Sequence, residues 1–408
     1  MILKMRENTQ PRQVAGVDQA KFATRARGEA DSSLKEVLES FPGVISFAGG
    51  LPDEKAFPVD ELAKIVQETS RDPAAWQYLP TEGHPALREA IARHMADLGV
   101  EAGPENVLIT QGSQQGLDLV AKLFVDPGDH VLMEAPGYLG AIGAAQNYEA
   151  EIWDVPVGDD GLDLERLREA PGGAKYLYTV STFHNPTGCS IPLARRPQIL
   201  EIASAKGFYI VEDGAYRELC FEGRPDPPLK SFDREGRVIY LGSFSKALVP
   251  GVRVGWIVAA PQIIRTLALL KQSTDLASNT LGQLFVLRWL ETHGLTPPVD
   301  LYRQKRDSAL NALEREMPAG VSWNRPKGGF FLWIRLPEGL DAAAMLPRAR
   351  ANGVTYVPGA AFRGEKNALR FSFSQVALDE IEPGVRRLAR TIEEFIESRK
   401  STKAAAGT

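Results

Sequence analysis

The chain of 408 residues has few cysteines, few histidines and no excess of basic residues. Its two cysteines, Cys189 and Cys220, exclude a disulfide framework and fit a reducing compartment, so we expect a cytoplasmic protein. The five histidines show no metal-ligand spacing, so no metal site is predicted. A net charge of −5 argues against nucleic-acid binding. No apolar run reaches about 18 residues, so neither a membrane span nor a membrane partner is predicted.

The chain instead contains short apolar segments that alternate with amphipathic helical segments. Seven apolar segments are predicted to be strands: residues 107–110, 131–134, 152–155, 176–180, 208–211, 238–241 and 254–258. This alternation predicts the α/β class, with a mostly parallel seven-stranded sheet flanked by helices. Ligands of such sheets bind at the carboxyl ends of the strands.

The domain boundaries follow from changes in this pattern. A continuous helix is predicted over residues 263–281, and from about residue 292 shorter strands and helices predict a smaller α+β domain. We therefore divide the chain into an N-terminal arm and helix (1–50), a large domain (51–291), a small C-terminal domain (292–400) and a tail (401–408).

The stretch from Val238 to Ala259 places a polar insert between two strand segments, and this insert contains Ser243, Ser245, Lys246 and Arg253. Burial disfavours the charged form of a lysine, and an amine that is partly neutral can form an imine. The serines and the arginine are donors suited to a phosphate. We hypothesise that Lys246 forms a Schiff base with the aldehyde of pyridoxal phosphate (PLP). The alternative is a surface loop with a solvated lysine.

Three further polar groups follow predicted strands of the large domain. Ser113 and Gln114 follow Gly112 at the start of a helix, where free N–H groups favour a phosphate; the alternative is a serine N-cap. Asp213 follows an apolar strand, and a buried carboxylate there can keep a pyridine nitrogen protonated; the alternative is a helix cap. Tyr216 can hydrogen-bond a phenolate oxygen, and the alternative is a core tyrosine.

Asn185, Tyr138 and Arg370 would complete such a site. The amide of Asn185 can bond a ring oxygen and a carboxylate, although turn chemistry alone also explains it. Tyr138 can stack on an aromatic ring. Arg370 alternates with apolar residues in a predicted strand, and its guanidinium matches a carboxylate; the alternative is an exposed arginine on a sheet face. Together these parts predict one site for a phosphorylated, aromatic, imine-forming cofactor.

Residues 31–398 resemble the fold-type I, PLP-dependent aminotransferases of classes I and II. The most specific motif is Ser243-x-Ser245-Lys246-x-x-x-Pro250-Gly251-x-Arg253-x-Gly255, which occurs together with Asn185-Pro186-Thr187-Gly188 and Asp213-x-x-Tyr216. The stretches ISFAGGLP, YLPTEGHPALREAI, LITQGSQQGLDLV and RPKGGFFLWIRLP are more similar to the α-aminoadipate and kynurenine aminotransferases than to aspartate aminotransferases. The resemblance implies the PLP-dependent transferase fold and a place in amino acid metabolism.

The resemblance also implies a role for each matching residue. The catalytic residues would be Lys246, Asp213 and Tyr216, of which the lysine carries the cofactor and shuttles a proton. The cofactor-binding residues would be Ser113, Gln114, Tyr138, Asn185, Asp213, Tyr216, Ser243, Ser245, Lys246, Arg253 and Tyr78. The substrate-binding residues would be Arg370, Asn185, Gly50 and Lys35. Because Tyr78 would reach the phosphate of a neighbouring subunit, the resemblance implies a homodimer with shared active sites.

Lys35 departs from the pattern of the subgroup. In its aminoadipate enzymes an arginine on the N-terminal helix binds the distal carboxylate, and the corresponding residue here is a lysine. A lysine neutralises a carboxylate but lacks the planar fork of arginine. A dicarboxylic substrate is therefore less favoured, and aromatic, aliphatic or cationic amino acids stay open.

We predict an aminotransferase (EC 2.6.1) that moves the amino group of an L-amino acid to a 2-oxo acid, with 2-oxoglutarate as the expected acceptor, in a ping-pong cycle. Loss of the Cα proton is common to several reactions, so a lyase, decarboxylase or racemase of the same fold is the alternative. A non-enzymatic effector domain of a transcription regulator is a remote alternative, because only about 30 residues precede the first matching helix and the net charge is acidic.

Overall fold

The computed structural model describes residues 19–26 and 41–406. Most of the predicted N-terminal arm and helix, including Lys35, lies outside the described residues. No helix within the described ranges is long and apolar enough to cross a membrane. The same ranges contain no group of three or more histidine, cysteine, aspartate or glutamate side chains that could hold a metal ion.

Helices and strands alternate along most of the described chain. The α-helices are Val59–Ser70, Pro85–Asp97, Ser113–Phe124, Leu139–Asn147, Leu164–Arg168, Arg196–Lys206, Pro261–Asp275, Thr280–His293, Val299–Glu316, Ala342–Ala351 and Leu378–Ala406. The strands are β1 (Ile45–Ser46), β2 (Val107–Thr110), β3 (His130–Ala135), β4 (Glu151–Gly158), β5 (Gly161–Leu162), β6 (Tyr176–Thr179), β7 (Tyr209–Asp213), β8 (Val238–Ser243), β9 (Gly255–Val258), β10 (Ser322–Trp323), β11 (Phe331–Arg335), β12 (Val354–Thr355), β13 (Val357–Pro358) and β14 (Ala368–Ser372).

The large sheet has the strand order β2-β9-β8-β7-β6-β3-β4-β5. Strands β4, β3, β6, β7 and β8 run parallel, whereas β9 is antiparallel to both β2 and β8. The predicted α/β class with a mostly parallel sheet is therefore confirmed. The sheet contains the seven predicted strands and an eighth, β5, which forms a tight hairpin with β4. Two residues are too short to show a hydrophobic period, so the sequence pattern does not reveal β5.

The central strands form the core of the large sheet because both of their faces are covered by helices. Every residue of β6 and β8 is buried, as their continuous apolar sequences require. Parallel neighbours end at the same edge of the sheet, where β7 finishes at Asp213 and β8 at Ser243. Asp213, predicted to follow its strand, is the last residue of that strand. The polar groups of the sequence are thereby brought to one edge.

The C-terminal sheet is antiparallel, with the order β10-β11-β14-β13. The chain just after residue 44 packs next to it, because β1 pairs with β12 and the N–H of Ser372 donates to the carbonyl oxygen of Phe47 at 2.8 Å. This packing places the segment from Ala48 to Gly50 beside Arg370 on β14. Ala48, from the N-terminal part of the chain, and Arg370, from the C-terminal part, therefore meet at the edge of the large sheet.

The helix predicted over residues 263–281 is wrong at residues 276–279, where the chain leaves the helical conformation. The helix ends at Asp275, and Leu276, which follows it, has a positive φ of 61°. A new helix begins at Thr280, after Asn279, whose side chain accepts a hydrogen bond from the N–H of Gly282 at 3.3 Å. Local capping thus interrupts an apolar pattern that is continuous in the sequence.

Candidate active site

Lys246 lies in the loop after β8, at the carboxyl edge of the large sheet. Its Nζ donates a hydrogen bond to the carbonyl oxygen of Gly50 at 2.8 Å and lies 6.0 Å from the centre of the Tyr216 ring. Burial, followed by the charges of Arg370 and Arg253, lowers the pKa of Lys246 to about 8. A substantial fraction of this amine is therefore neutral near pH 8, as a nucleophile requires.

Asp213 is 4% exposed and holds its carboxylate at a fixed angle. One oxygen accepts the N–H of Ala215 at 3.0 Å, and the other accepts the hydroxyl of Tyr178 at 2.9 Å. No lysine, arginine or histidine in the described part of the chain forms an ion pair with this carboxylate, and burial raises its pKa. A buried carboxylate without a cationic partner is suited to a ligand that brings a cation, such as a protonated ring nitrogen.

Asn185 connects two residues that are far apart in the sequence. Its side-chain oxygen accepts a hydrogen bond from Nη1 of Arg370 at 2.9 Å, and its side-chain nitrogen donates to the hydroxyl of Tyr216 at 3.3 Å. All three side chains are buried. Asn185, Tyr216 and Arg370 thus form one contiguous group, in which the amide and the guanidinium can bind the same carboxylate.

Two aromatic rings hold the guanidinium of Arg370. The ring centres of Phe331 and Phe362 lie 4.5 Å and 4.8 Å from its central carbon. Nη2 donates to the carbonyl oxygen of Ala48 at 2.5 Å, while the buried Nε has no hydrogen-bond partner. Burial lowers the pKa of Arg370 to about 10, so the side chain stays cationic at neutral pH. The rings and carbonyl fix the plane of the fork, and the free Nε–H remains for a ligand.

A second group of donors surrounds the start of the helix Ser113–Phe124. Nη1 of Arg253 donates to the hydroxyl of Ser245 at 3.3 Å, and the N–H of Ser245 donates to the hydroxyl of Ser243 at 3.1 Å. A Cβ on Gly112 would lie 2.6 Å from Nη2 of Arg253. The guanidinium therefore lies directly against the helix N-terminus, and the two together favour an anion.

The other predicted residues lie at different distances from this centre. Tyr138 is half-buried, its hydroxyl donates to the side-chain oxygen of Gln114 at 3.4 Å, and burial and then the charge of Asp213 raise its pKa to about 12. Gln114 is exposed, and its side-chain nitrogen donates to the carbonyl oxygen of Gly140 at 3.0 Å. Tyr78 is 76% exposed and does not join the cluster within this chain.

Gly255 permits the close approach of β9 to the anion-binding group. A Cβ at this position would lie 2.7 Å from the carbonyl carbon of Gly112 and 2.8 Å from the nitrogen of Ser113. We expect Gly255→Ala to lower the free energy of unfolding by about 1–3 kcal/mol, because the backbone must shift to relieve the overlap. The matched control is Gly251→Ala, since a Cβ there meets nothing within 4 Å. Equal denaturation curves for the two variants would contradict the expectation.

Several residues that support the site have little signal in the sequence. Tyr178 was part of a predicted strand, and its hydroxyl in an otherwise apolar strand is the only hint of its contact with Asp213. Glu134 and His184 form a buried ion pair, with Nε2 of the histidine 3.0 Å from the carboxylate. His184 directly precedes Asn185, so its position beside a candidate residue was the available signal.

The arrangement as a whole matches the parts of a pyridoxal phosphate. An anion-binding group, an amine of lowered pKa, an unpaired buried carboxylate and a carboxylate-binding fork lie around one edge of the sheet. The anion-binding group suits a phosphate, and the amine suits an aldehyde. The buried carboxylate suits a ring nitrogen, and the fork suits the carboxylate of an amino acid. The residues present therefore fit this cofactor.

Comparison with known proteins gives consistent matches along nearly the whole chain. The model of the family "Aminotransferase class I and II" matches residues 43–388. Aromatic-amino-acid aminotransferase 1 of Thermococcus litoralis is 42% identical over 392 residues, which cover 91% of this chain and 94% of the relative.

Two solved structures have closely similar folds. A kynurenine aminotransferase of Pyrococcus horikoshii is 41% identical, with a TM-score of 0.87 and coverage of 93% of this chain and 98% of that one. The α-aminoadipate aminotransferase LysN of Thermus thermophilus, complexed with N-(5'-phosphopyridoxyl)-L-leucine, is 40% identical, with a TM-score of 0.87 and coverage of 93% and 99%.

Proposed function

The chain belongs to the class I and II aminotransferases, and on this basis we propose that it transfers the amino group of an aromatic L-amino acid to 2-oxoglutarate by a ping-pong mechanism. The sequence motifs predict a fold-type I, PLP-dependent aminotransferase of EC 2.6.1 type, and the matches confirm that family, fold and cofactor. The observation that carries the proposal is the position of Lys246, an amine of lowered pKa close to the Asn185–Arg370 pair.

Each part of the bound cofactor has a partner in the site. Pyridoxal phosphate supplies an aldehyde for the substrate amine and a ring that withdraws electrons from Cα. We assign the phosphate to Ser243, Ser245 and Arg253, together with the helix N-terminus at Ser113. Asp213 holds the proton on the ring nitrogen, and the hydroxyl of Tyr178 keeps its carboxylate oriented.

We assign Lys246 as the base and acid of the proton transfer. Its Nζ would take the Cα proton of the substrate and would deliver a proton to the carbon that carries the aldehyde of the cofactor. An amine whose pKa is about 8 can both accept and donate a proton near neutral pH. The hydrogen bond to the carbonyl oxygen of Gly50 directs Nζ towards the segment that also faces Arg370.

The substrate carboxylate is assigned to Arg370 and Asn185, which present a cationic fork and an amide. Relatives at 41–42% identity are named for aromatic amino acids, kynurenine and 2-aminoadipate, and Lys35 favours the first two over the third. Lys35 would face a distal carboxylate less well than an arginine would, which argues against a dicarboxylic donor. Its contact with substrate stays a prediction, since it lies outside the described residues.

A homodimer with shared sites and a cytoplasmic location also stay predictions. Tyr78 is 76% exposed, which supports the homodimer, because a side chain that does not contact the site of its own subunit is available to contact the site of a second subunit. We propose that Tyr78 binds the cofactor phosphate of a second subunit.

A half-reaction panel tests the proposed activity. The PLP form of the enzyme is mixed with each of the twenty amino acids in the absence of a 2-oxo acid, and the cofactor spectrum is followed. We expect phenylalanine, tyrosine or tryptophan to convert the visible band of the lysine-bound cofactor into the near-ultraviolet band of its amino form. Added 2-oxoglutarate should then restore the visible band, because the two half-reactions of a ping-pong cycle are separable.

The same panel separates the alternative activities. Ammonia, carbon dioxide or racemised amino acid in place of the amino form of the cofactor would indicate a lyase, a decarboxylase or a racemase. Conversion by aspartate or aminoadipate alone would contradict the aromatic donor while leaving transamination intact.

A further inference from the structure

Asn324 bridges two backbone segments that carry candidate site residues. Its side-chain nitrogen donates to the carbonyl oxygen of Thr187 at 2.5 Å, in the turn that contains Asn185. Its side-chain oxygen accepts the N–H of Trp333 on β11 at 2.7 Å. The amide nitrogen therefore binds the turn that contains Asn185, and the amide oxygen binds the C-terminal sheet.

The turn is also held from its other side. Nδ1 of His184 lies 2.7 Å from the hydroxyl of Thr187, and Nε2 lies 3.0 Å from the carboxylate of Glu134. Burial alone would lower the pKa of His184, but the charge of Glu134 together with hydrogen bonds to Glu134 and Cys189 raises the pKa to about 10. Nδ1 of His184 therefore contacts the hydroxyl of Thr187, and Asn324 binds the carbonyl oxygen of that same residue.

These contacts close a ring around the carboxylate-binding pair. Trp333 pairs with Arg370 across β11 and β14. Nη1 of Arg370 donates to the side-chain oxygen of Asn185, two residues before Thr187. Starting from Asn185, the ring runs through Thr187, Asn324, Trp333 and Arg370 and returns to Asn185.

The turn approaches β11 so closely that a side chain is excluded. A Cβ on Gly188 would overlap the carbonyl oxygen of Phe331 and lie 3.2 Å from the side-chain nitrogen of Asn324. Gly188 also has φ of 71°, which other residues rarely adopt. The spacing between turn and strand is thus fixed by contact at Gly188 and by hydrogen bonds at Asn324.

We propose that Asn324 is a positioning residue for substrate binding, which sets the distance between Asn185 in the turn that follows β6 and Arg370 on β14 so that both reach one carboxylate. This proposal rests on the proposed function, in which that carboxylate belongs to the amino acid. Without the two hydrogen bonds of Asn324, Arg370 and Asn185 are chemically unchanged but their separation can vary. We therefore expect the affinity for carboxylates to fall.

Replacement of Asn324 should not prevent folding. Asn324 is only partly buried, and both it and Thr187 line a cavity of about 580 Å³ between the two sheets. Trp333 lines the same cavity, so water from this space can hydrate both the freed carbonyl oxygen of Thr187 and the freed N–H of Trp333, and neither polar group is left without a partner.

The test compares Asn324→Ala with Asn367→Ala in the PLP-loaded enzyme. Asn367 is the matched control, because it is also partly buried near the C-terminal sheet and also donates to a backbone carbonyl, that of Leu336, at 2.8 Å. For Asn324→Ala we expect about a tenfold rise in the Kd of 3-phenylpropanoate and in the KM of the amino donor, with kcat changed less than about threefold. Asn367→Ala should change neither Kd nor KM.

A third variant separates the two hydrogen bonds. Asn324→Asp keeps an oxygen for the N–H of Trp333 but removes the donor to Thr187, so its Kd and KM should rise as in the alanine variant. Wild-type binding in Asn324→Asp, or equal losses in Asn324→Ala and Asn367→Ala, would overturn the proposal. The Kd of 3-phenylpropanoate needs no turnover, so this readout stands even if the enzyme does not transaminate, and failure of the proposed function is seen separately in the wild-type half-reaction.

Discussion

Replacing Lys246 by alanine is expected to reduce transamination by at least about 10⁴-fold and to remove the visible band of the lysine-bound cofactor. In the proposed mechanism this side chain supplies both the amine that binds the aldehyde and the group that moves the Cα proton, so no neighbouring group replaces both. Nζ lies against Gly50, and burial lowers its pKa to about 8. Steady-state rates and absorbance spectra of the PLP-loaded protein measure the two losses.

Lys271 provides a matched control for this variant. It is fully buried, burial lowers its pKa, and its Nζ pairs with Asp275 at 2.7 Å and not with a residue assigned to the cofactor or the substrate. Lys271→Met should cost stability but leave kcat and the visible band unchanged in the folded protein. If Lys246→Ala turned over at the wild-type rate, or if borohydride reduction attached the cofactor to a peptide without Lys246, the assignment would be wrong.

The pH dependence of cofactor uptake follows from the same amine. The pKa of Lys246 is lowered from 10.5 to about 8 in the cofactor-free protein, so the neutral, nucleophilic form increases as the pH rises through about 8. We expect the rate of PLP uptake to rise with pH over this range and then to level off. Stopped-flow absorbance measures it, and a rate that first rises near pH 10 would indicate an unperturbed lysine.

Replacing Asp213 by asparagine is expected to lower kcat by about 10²–10⁴-fold, a loss comparable with that of a well-placed catalytic group. The substitution keeps the shape of the side chain and an oxygen for the N–H of Ala215, but it removes the negative charge. Without that charge the ring nitrogen loses its proton and withdraws electrons less strongly from Cα. Single-turnover rates with the amino donor measure the effect directly.

Glu212→Gln is the matched control on the same strand. Glu212 is equally buried, but its oxygens accept the hydroxyl of Ser181 and the N–H groups of Leu229 and Lys230. These contacts are structural, so the control should lower the melting temperature while kcat of the folded enzyme stays close to wild type. Near-normal turnover in Asp213→Asn would remove Asp213 from its assigned role.

Much of the candidate site could be predicted from local patterns. The apolar segments ending near Asp213 and Ser243 show in the sequence that both residues lie at strand ends, since continuous apolar runs between helices indicate buried parallel strands. Lys246 is identified by the motif around it. The direction of β9 and the two-residue strand β5 are not apparent in that pattern, because hydrophobicity reports burial and not strand direction.

The sequence by itself determined the chemical parts of the proposed site: the lysine assigned to the imine, the carboxylate assigned to the ring nitrogen, and the serines and the arginine assigned to the phosphate. Only the tertiary structure decided which parts meet. Asn185 and Arg370 are 185 residues apart, and Asn324 is 137 residues from Thr187. Such contacts depend on how two sheets pack, and the lowered pKa of Lys246 depends on burial and on distant charges, neither of which a local sequence pattern encodes.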